Sequence, residues 1–413
     1  MSQNLADIAP PPTPAHVPPE LVRRFDFLSG LGDRPHDVVG ELAKGPRVFY
    51  TPVNSNTAAT GVGAWVLARA EDIRAAFADP ETFSSLGFTS MAALIGETWQ
   101  LAPLESDPPA HGRYRTALLP FFLQKPVGEL TPAICRRAAD LIAGFAARGS
   151  CEFVEEFSTT FPTGVFLDLM GLPTEELPMF MQWEQMVIHG RDLQERAAGV
   201  RAVRDYMAGV IAARRRTPGE DIVSHLIAAN VEDRPFDEQE LLGMCILLYA
   251  AGLDTVPSSL TAHFRHMAEN QEQQAALRAD PAAIPRAVEE LLRLYSPVGP
   301  FRKVTRDVEF AGVSLKAGDR VVLSTTIASR DPAEFEDASA ADFARTSATR
   351  HFAFGFGIHH CIGAHLARRE MAIAWEQWFR LIPQPFRVAP GSQITGHGGS
   401  VLGIDNLPLH WSA

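Results

Sequence analysis

The sequence predicts a mainly α protein with small β-sheets, a single domain organised around one long central helix. Three observations carry this expectation. Apolar residues recur at helical spacing in segment after segment between Ala133 and Leu381. The run from Leu241 to Leu253 is apolar almost without interruption behind Asp237-Glu-Gln-Glu240, which has capping-box spacing, and a helix apolar on every side is buried. Strand-like runs are short and few. The chain has 413 residues, enough for two or three domains, yet no linker-like stretch divides it beyond the first 20.

Taken in order, residues 1–20 are Pro-rich, form neither helix nor paired strand, and read as a flexible or surface-laid tail ahead of a domain spanning 21–413. Two apolar runs, at 48–50 and 64–68, flank a turn-rich stretch and predict a hairpin. A helix from Glu71 ends at Asp79-Pro80, because proline disfavours helical geometry in the residue before it. Residues 83–109 lack periodicity and read as a long loop, a length usually given to function. A helix opens after Pro108-Pro109 and sets His111 and Arg115 on one face. Helical patterns follow over 133–147, over 151–172 with a stop at Gly171-Leu-Pro173, twice within 177–217, and over 221–230. Pro257 removes an N–H that would bond the Leu253 carbonyl and predicts a kink in the long helix. The remaining pattern is a helix over 285–295, a hairpin-like β segment over 308–323 with glycine turns at 312 and 318, a helix over 364–381 and a small closing sheet.

Charge and cysteine content narrow the function. Lys and Arg number 37 against 49 Asp and Glu, a net charge of −12 that argues against a nucleic-acid partner, since phosphate binding needs a basic face. The four cysteines, at 135, 151, 245 and 361, show neither zinc-type nor CxxC spacing and suggest no disulfide framework. No basic start leads into an apolar core and no window approaches 18 consecutive apolar residues, so no signal peptide or membrane partner is expected and the reading is a soluble cytoplasmic protein.

The chemistry centres on Phe354-Gly-Phe-Gly-Ile-His-His-Cys-Ile-Gly363. Glycines at 355 and 357 allow a tight turn and close backbone approach to a flat ligand, and a helix beginning just after Cys361 places that sulfur at the positive end of a helix dipole, where a thiolate is stabilised. A free cysteine in a Gly-rich turn is more often a small buried hydrophobe. The spacing of Phe354, Gly357, His359, Cys361 and Gly363, however, resembles the cysteine loop of the cytochrome P450 family. That resemblance implies the P450 fold and haem b (iron protoporphyrin IX), with Cys361 as proximal thiolate ligand of the iron and Phe354 and His359 beside the cofactor.

Further segments match the same family. Ala251-Gly252-Leu253-Asp254-Thr255 is similar to its oxygen-binding sequence, which implies that Gly252 leaves room for O2 and that Asp254 and Thr255 feed protons to it. Thr255 alone would be satisfied by the carbonyl four residues back. His111 and Arg115 match a propionate-binding pair, and Arg302 stands where relatives place a second propionate-binding Arg. Glu290 and Arg293 have the family's Glu-x-x-Arg spacing and are read as structural, with Arg345 as a third partner. Arg368 and Arg369 are expected on the proximal side, where an acidic electron donor docks.

The 107–115 segment, Gly252-Leu-Asp-Thr-Val256, Pro285-Arg-Ala-Val-Glu-Glu-Leu-Leu-Arg293 and the ending Leu407-Pro-Leu-His-Trp411 look most like the soluble bacterial camphor-hydroxylating branch. The likeness implies a pocket of Phe88, Trp99, Leu247, Ala250, Val298 and Val401. Trp99 replaces a hydrogen-bonding Tyr of that branch, which turns the expected substrate from camphor toward another small, largely apolar terpenoid or norisoprenoid ketone. The implied reaction is O2-dependent hydroxylation. The chain has no flavin or iron–sulfur motif of its own, so electrons are expected from a [2Fe–2S] ferredoxin and its reductase. A peroxide-driven peroxygenase of the same fold and a haem-based gas sensor or carrier are the rival readings.

Overall fold

The computed structural model describes residues 11–52, 62–87, 89, 91–190 and 192–412. It is mainly helical, as expected. The helices that matter below are α1 (Ala110–Leu118), α2 (Gln124–Ala146), α3 (Thr160–Met170), α4 (Leu177–His189), α5 (Leu193–Arg216), α6 (Glu238–Leu253), α7 (Thr255–Glu269), α8 (Ile284–Leu294) and α9 (Ala364–Leu381). The strands are β1 (Val48–Thr51), β2 (Ala64–Leu67), β3 (Phe83–Ser84), β4 (Ser150–Glu152), β5 (Phe301–Val304), β6 (Val308–Phe310), β7 (Val313–Leu315), β8 (Arg320–Val322), β9 (Phe386–Val388), β10 (Gly396–His397), β11 (Gly403–Ile404) and β12 (Pro408–Trp411).

The larger sheet has the order β1-β2-β8-β5-β3, with β2 and β8 parallel and the other pairs antiparallel. The expected hairpin is its outer edge, in register Val48 to Leu67. Only β6 and β7 of the 308–323 segment pair with each other; β8 leaves them to join the larger sheet. A second sheet, β9-β12-β4, takes its third strand from Ser150–Glu152, where helical spacing had suggested the start of a helix. Gly171 ends α3 in the left-handed conformation (φ 63°), as its position predicts. Helix α2 begins nine residues before the expected Ala133, and Pro132 lies inside it. Packing on α9 sustains that turn despite the lost hydrogen bond.

Three apolar cores result, one around α2, α7 and α9, one on the larger sheet, and one of α3, α5, α6 and the loop through Trp99. Phe264 of α7 stacks on Trp375 of α9 with centroids 3.8 Å apart and planes 5° apart, at the middle of the first. In the N-terminal segment, Val17 is buried in the second core.

Asp237 caps α6 as its spacing predicts. Its Oδ1 accepts from the Glu240 amide (2.9 Å), and Glu240 Oε2 accepts from the Asp237 amide (2.8 Å). The long helix then bends at Asp254, which separates α6 from α7, three residues before Pro257, where the proline ring displaces the Leu253 carbonyl. Together residues Glu238–Glu269 are long and apolar enough to span a membrane by length and composition, but this stretch is mostly buried within the protein. Gly243 lies against the backbone carbonyl of Gln100, which a Cβ would overlap. This contact seats the loop through Trp99 on α6. Gly243→Ala should therefore cost about 1–3 kcal/mol by overpacking, read as a lower denaturant midpoint.

Candidate active site

Cys361 is exposed by surface area although protein crowds it closely enough for desolvation to act on its thiol. Helix α6 is buried along nearly its whole length until Ala251, which is exposed, with Ala250, Gly252 and Thr255 half-buried. The cysteine loop is held by the Cys361 amide donating to the Phe354 carbonyl (2.8 Å) and by Gly355 and Gly357 at φ 68° and 69°. The close approach at Gly357 is to protein rather than to a flat ligand, since a Cβ there would lie 2.6 Å from the Phe77 carbonyl.

Gly363 is the N-cap of α9, so the sulfur does sit at a helix start. The net effect on its thiol differs from the expectation. Burial raises its pKa, opposed by the Gly363 amide and by the charges of Arg115 and Arg368. The dipole is real but smaller than desolvation, and deprotonation falls to the electrophile that binds there.

Donors gather around His359. Its Nε2 is 2.9 Å from Ser85 Oγ, and its ring meets that of His111 edge-on with centroids 4.4 Å apart. Burial and the charge of Arg302 push His359 down to about 3, so it is neutral. His111 is 4 % exposed, and its Nε2 is buried with no hydrogen-bond partner in the protein. Arg302 is also buried. Its Nη1 donates to the Phe301 carbonyl (2.8 Å), its guanidinium lies over Phe77, and burial lowers its pKa to about 10. Burial lowers that of Arg115 as well, opposed by Cys361. Asp107 is engaged with Ser84 and the Ser85 amide. One buried guanidinium group, Arg302, a half-buried one, Arg115, and an orphaned imidazole nitrogen thus gather where the nearby carboxylate, Asp107, is committed to Ser84 and Ser85 and, among the described residues, makes no hydrogen bond to these groups.

At the bend of the long helix, Asp254 is 6 % exposed and burial raises its pKa; Ser258 Oγ donates to its Oδ1 (3.3 Å). The Thr255 hydroxyl donates to the Ala251 carbonyl (3.0 Å), which leaves its oxygen able to accept. Gly252 faces elsewhere than expected. A Cβ there would meet the Phe166 ring at 3.6 Å, an ordinary contact, so its missing side chain opens no special groove.

Behind the loop, Glu290 and Arg293 are fully buried and joined twice, Nε to Oε2 (2.9 Å) and Nη2 to Oε1 (2.8 Å). Arg345 Nε completes the expected triad at 3.0 Å from Glu290 Oε1. Arg368 is engaged within the chain. It is 2.5 Å from Glu289 Oε1 and covers Phe354, while Arg369 bonds Thr131 and Glu376. Burial raises Glu289, but His351, 3.3 Å away, and Arg368 outweigh it and hold its carboxyl at about 2. A depressed carboxylate adds stability above its unfolded value near 4.5 and loses it as pH falls toward 2. Glu289→Gln should thus be less stable than the parent by about 3 kcal/mol near neutrality, a gap that closes in acid denaturation curves near pH 2.

The pocket residues fall into two groups. Trp99, Leu247 and Ala250 share the third core, while Val298 and Val401 are joined by an isolated antiparallel bridge. Phe88 lies outside the described residues. The Trp99 indole N–H is given to Glu97 Oε2 (2.5 Å), and Glu97 also pairs with Arg204 (2.9 Å). Ser85, Asp107 and Ser258 escaped the sequence reading as site residues because nothing in their local pattern distinguishes them from turn and helix polar groups.

The family model described as Cytochrome P450 matches residues 173–395. The chain belongs to the cytochrome P450 family. It is 39% identical over 409 residues to the probable cytochrome P450 127A1 of Sinorhizobium fredii, covering 97% of each chain. It is 34% identical to the pentalenic acid synthase of Streptomyces avermitilis over 76% of this chain and 79% of that one. Among solved structures, cytochrome P450 CYP101C1 matches with a TM-score of 0.86 at 31% identity, over 97% of this chain and all of the other. CYP101J2 matches at 0.85 and 32%, with the same coverage. The chain is therefore a P450 monooxygenase that uses haem b. Its residues fit that cofactor, because the open sulfur of Cys361 suits the iron, and His111, Arg115 and Arg302 lack the anions that two propionates provide.

Proposed function

We propose that this P450 hydroxylates a small, largely apolar terpenoid or norisoprenoid ketone in the cytoplasm, with electrons from a [2Fe–2S] ferredoxin and its reductase. The observation that supports the oxygenase reading is a free cysteine at a helix start, Cys361, in a chain that also carries an acid and an alcohol, Asp254 and Thr255, at the bend of a buried helix. When bound, haem supplies the activation of O2 and the insertion of one oxygen atom. Cys361 would hold it through its sulfur, with Phe354 supporting the loop. His111, Arg115, Arg302 and His359 would bind its propionates. Asp254, whose burial favours the protonated form, stores a proton, and the Thr255 hydroxyl passes it toward O2.

The substrate class is argued from the walls. Leu247, Ala250, Val298 and Val401 offer no polar atom, and Trp99 has spent its only donor on Glu97, so a ligand meets its apolar face. Binding then rests on shape and apolar contact rather than on a ketone hydrogen bond. Electrons are assigned to a partner protein because the sequence carries no flavin or iron–sulfur motif.

The reading is tested by titrating the holoenzyme with terpenoid and norisoprenoid ketones for a haem spin-state shift, then measuring turnover with a ferredoxin pair. Turnover on hydrogen peroxide alone at a matching rate would favour a peroxygenase instead, and no spin shift with any small apolar ligand would favour a gas carrier. Thr255→Ala should leave electron uptake in place but lower product per electron by about 10²-fold, a loss typical of one acid–base group, with hydrogen peroxide rising to balance it. Unchanged coupling in that variant would remove Thr255 from the proton path.

A further inference from the structure

A buried acid that gives up a proton in every turnover needs a way to regain it from water. We propose that Asp405 and His397, acting across the Ser258 hydroxyl, form the proton entry to Asp254. The inference rests on the reading of Asp254 as a proton donor.

His397 lies on β10 directly opposite Gly403 of β11. Its Nδ1 is 2.6 Å from Asp405 Oδ1, and the Asp405 backbone is fixed by its amide donating to the Thr395 carbonyl (2.9 Å). A carboxylate on Nδ1 sets the tautomer and directs the other nitrogen inward. Gly403 makes this possible, because a Cβ there would overlap the imidazole ring. The same Cβ position is 2.6 Å from His397 Nε2 and 3.0 Å from Ser258 Oγ. The imidazole thus fills the space a side chain at 403 would need, and its Nε2 and the Ser258 hydroxyl are separated by no more than the span of one bridging water. Ser258, one turn after Asp254 on α7, donates to its Oδ1.

Side-chain exposure falls inward along this line, from 38% at Asp405 to 19% at His397, and Ser258 and Asp254 are buried. Among the described residues, those that feel the charge of His397 include Asp405 on its own hairpin, His36 on the segment Pro35–Gly40, and Asp254. A positive His397 opposes the upward push that burial gives the Asp254 carboxyl, so the two ends of the path respond to each other. In one cycle His397, held by the Asp405 carboxylate on its Nδ1–H, takes a proton from water at Nε2 to become the imidazolium. Nε2 then releases it toward the Ser258 oxygen, whose own proton moves to Asp254 Oδ1, and the neutral Nδ1–H ring is restored. Only O–H and N–H bonds form and break, one proton enters and one is delivered.

The test uses the full-length holoenzyme and two readouts. The first is infrared: the protonated Asp254 carbonyl band, assigned by its loss in Asp254→Asn, is followed after mixing into D2O at a pH where it is protonated. His397→Gln and the isosteric Asp405→Asn should each slow its isotope shift by about tenfold or more, with an unchanged CO spectrum as the check on folding. Gly403→Ala, which displaces the ring, should do the same. The second is product per electron, which should fall in His397→Gln as pH rises and proton supply becomes limiting. Unaltered exchange in both His397→Gln and Asp405→Asn would overturn the proposal, even if Asp254→Asn still uncouples the enzyme. Slowed exchange with full coupling in Asp254→Asn would uphold the path and overturn the role of Asp254.

Discussion

Arg293→Met is expected to cost about 3–5 kcal/mol, the range for breaking a buried pair from one side, and to give a chain that does not retain haem. Both Glu290 and Arg293 have no exposed side-chain area. Every N–H of the guanidinium is used. Besides Glu290, Arg293 donates to the carbonyls of Ser329 (2.9 Å), Ala338 (2.7 Å) and Ala340 (2.9 Å). Methionine fills much of the volume but leaves the Glu290 charge beside Arg345 alone and takes the guanidinium donor from the Ser329 and Ala338 carbonyls, while Ala340 keeps Arg345. The effect reaches the cofactor through short links. Glu290 accepts from the Asp342 amide (3.0 Å), and Ser329 Oγ accepts from the Phe352 amide (2.9 Å), two residues before Phe354. A urea titration measures the loss. A drop below about 1 kcal/mol, the scale of an exposed pair, would mean that the triad does not brace the loop.

Cys361→Ser is the second large effect and acts by chemistry rather than by folding. A hydroxyl of nearly the same size in the Phe354–Gly363 turn should leave the unfolding midpoint within the small range of a surface change, about 0.5 kcal/mol. Oxygenation should fall far beyond the about 10–100-fold cost of altering an outer-shell partner of a metal ligand, because the electron-donating thiolate is gone. The paired measurement is denaturation of the apoprotein and product formation by the reconstituted variant. Retained turnover would place the ligand elsewhere. The two variants thus divide the cysteine loop into its brace and its ligand.

Much of this architecture was legible because it depends on local pattern. The Asp237–Glu240 box, the stop at Gly171, the bend before Pro257 and helix α9 follow from caps, prolines and periodicity, and Cys361, Asp254, Thr255, His111 and Arg115 from fixed spacing. What escaped depends on contacts between distant segments. Pro126 and Pro132 hid the first turns of α2, which packing on α9 retains. Cys151 carries helical spacing yet pairs with Leu409 in a sheet. The commitment of Arg368 to Glu289, the gift of the Trp99 indole to Glu97 and the contact of Gly252 with Phe166 join residues through side-chain geometry that no spacing reports. The upward push on the Cys361 thiol is of the same kind, since a helix start can be read from sequence whereas the depth of burial around it cannot. Gly243 did carry a signal, a glycine inside an otherwise apolar helix, which often marks a close backbone approach.

The central claim is that the sulfur of Cys361 binds haem iron as a thiolate. The most direct test is to reduce the purified, haem-loaded protein, add CO and record the difference spectrum. The account predicts a Soret maximum at ~450 nm in the parent chain and its loss in Cys361→Ser. A correctly assembled parent protein without that band, or a serine variant that keeps it, would contradict the account.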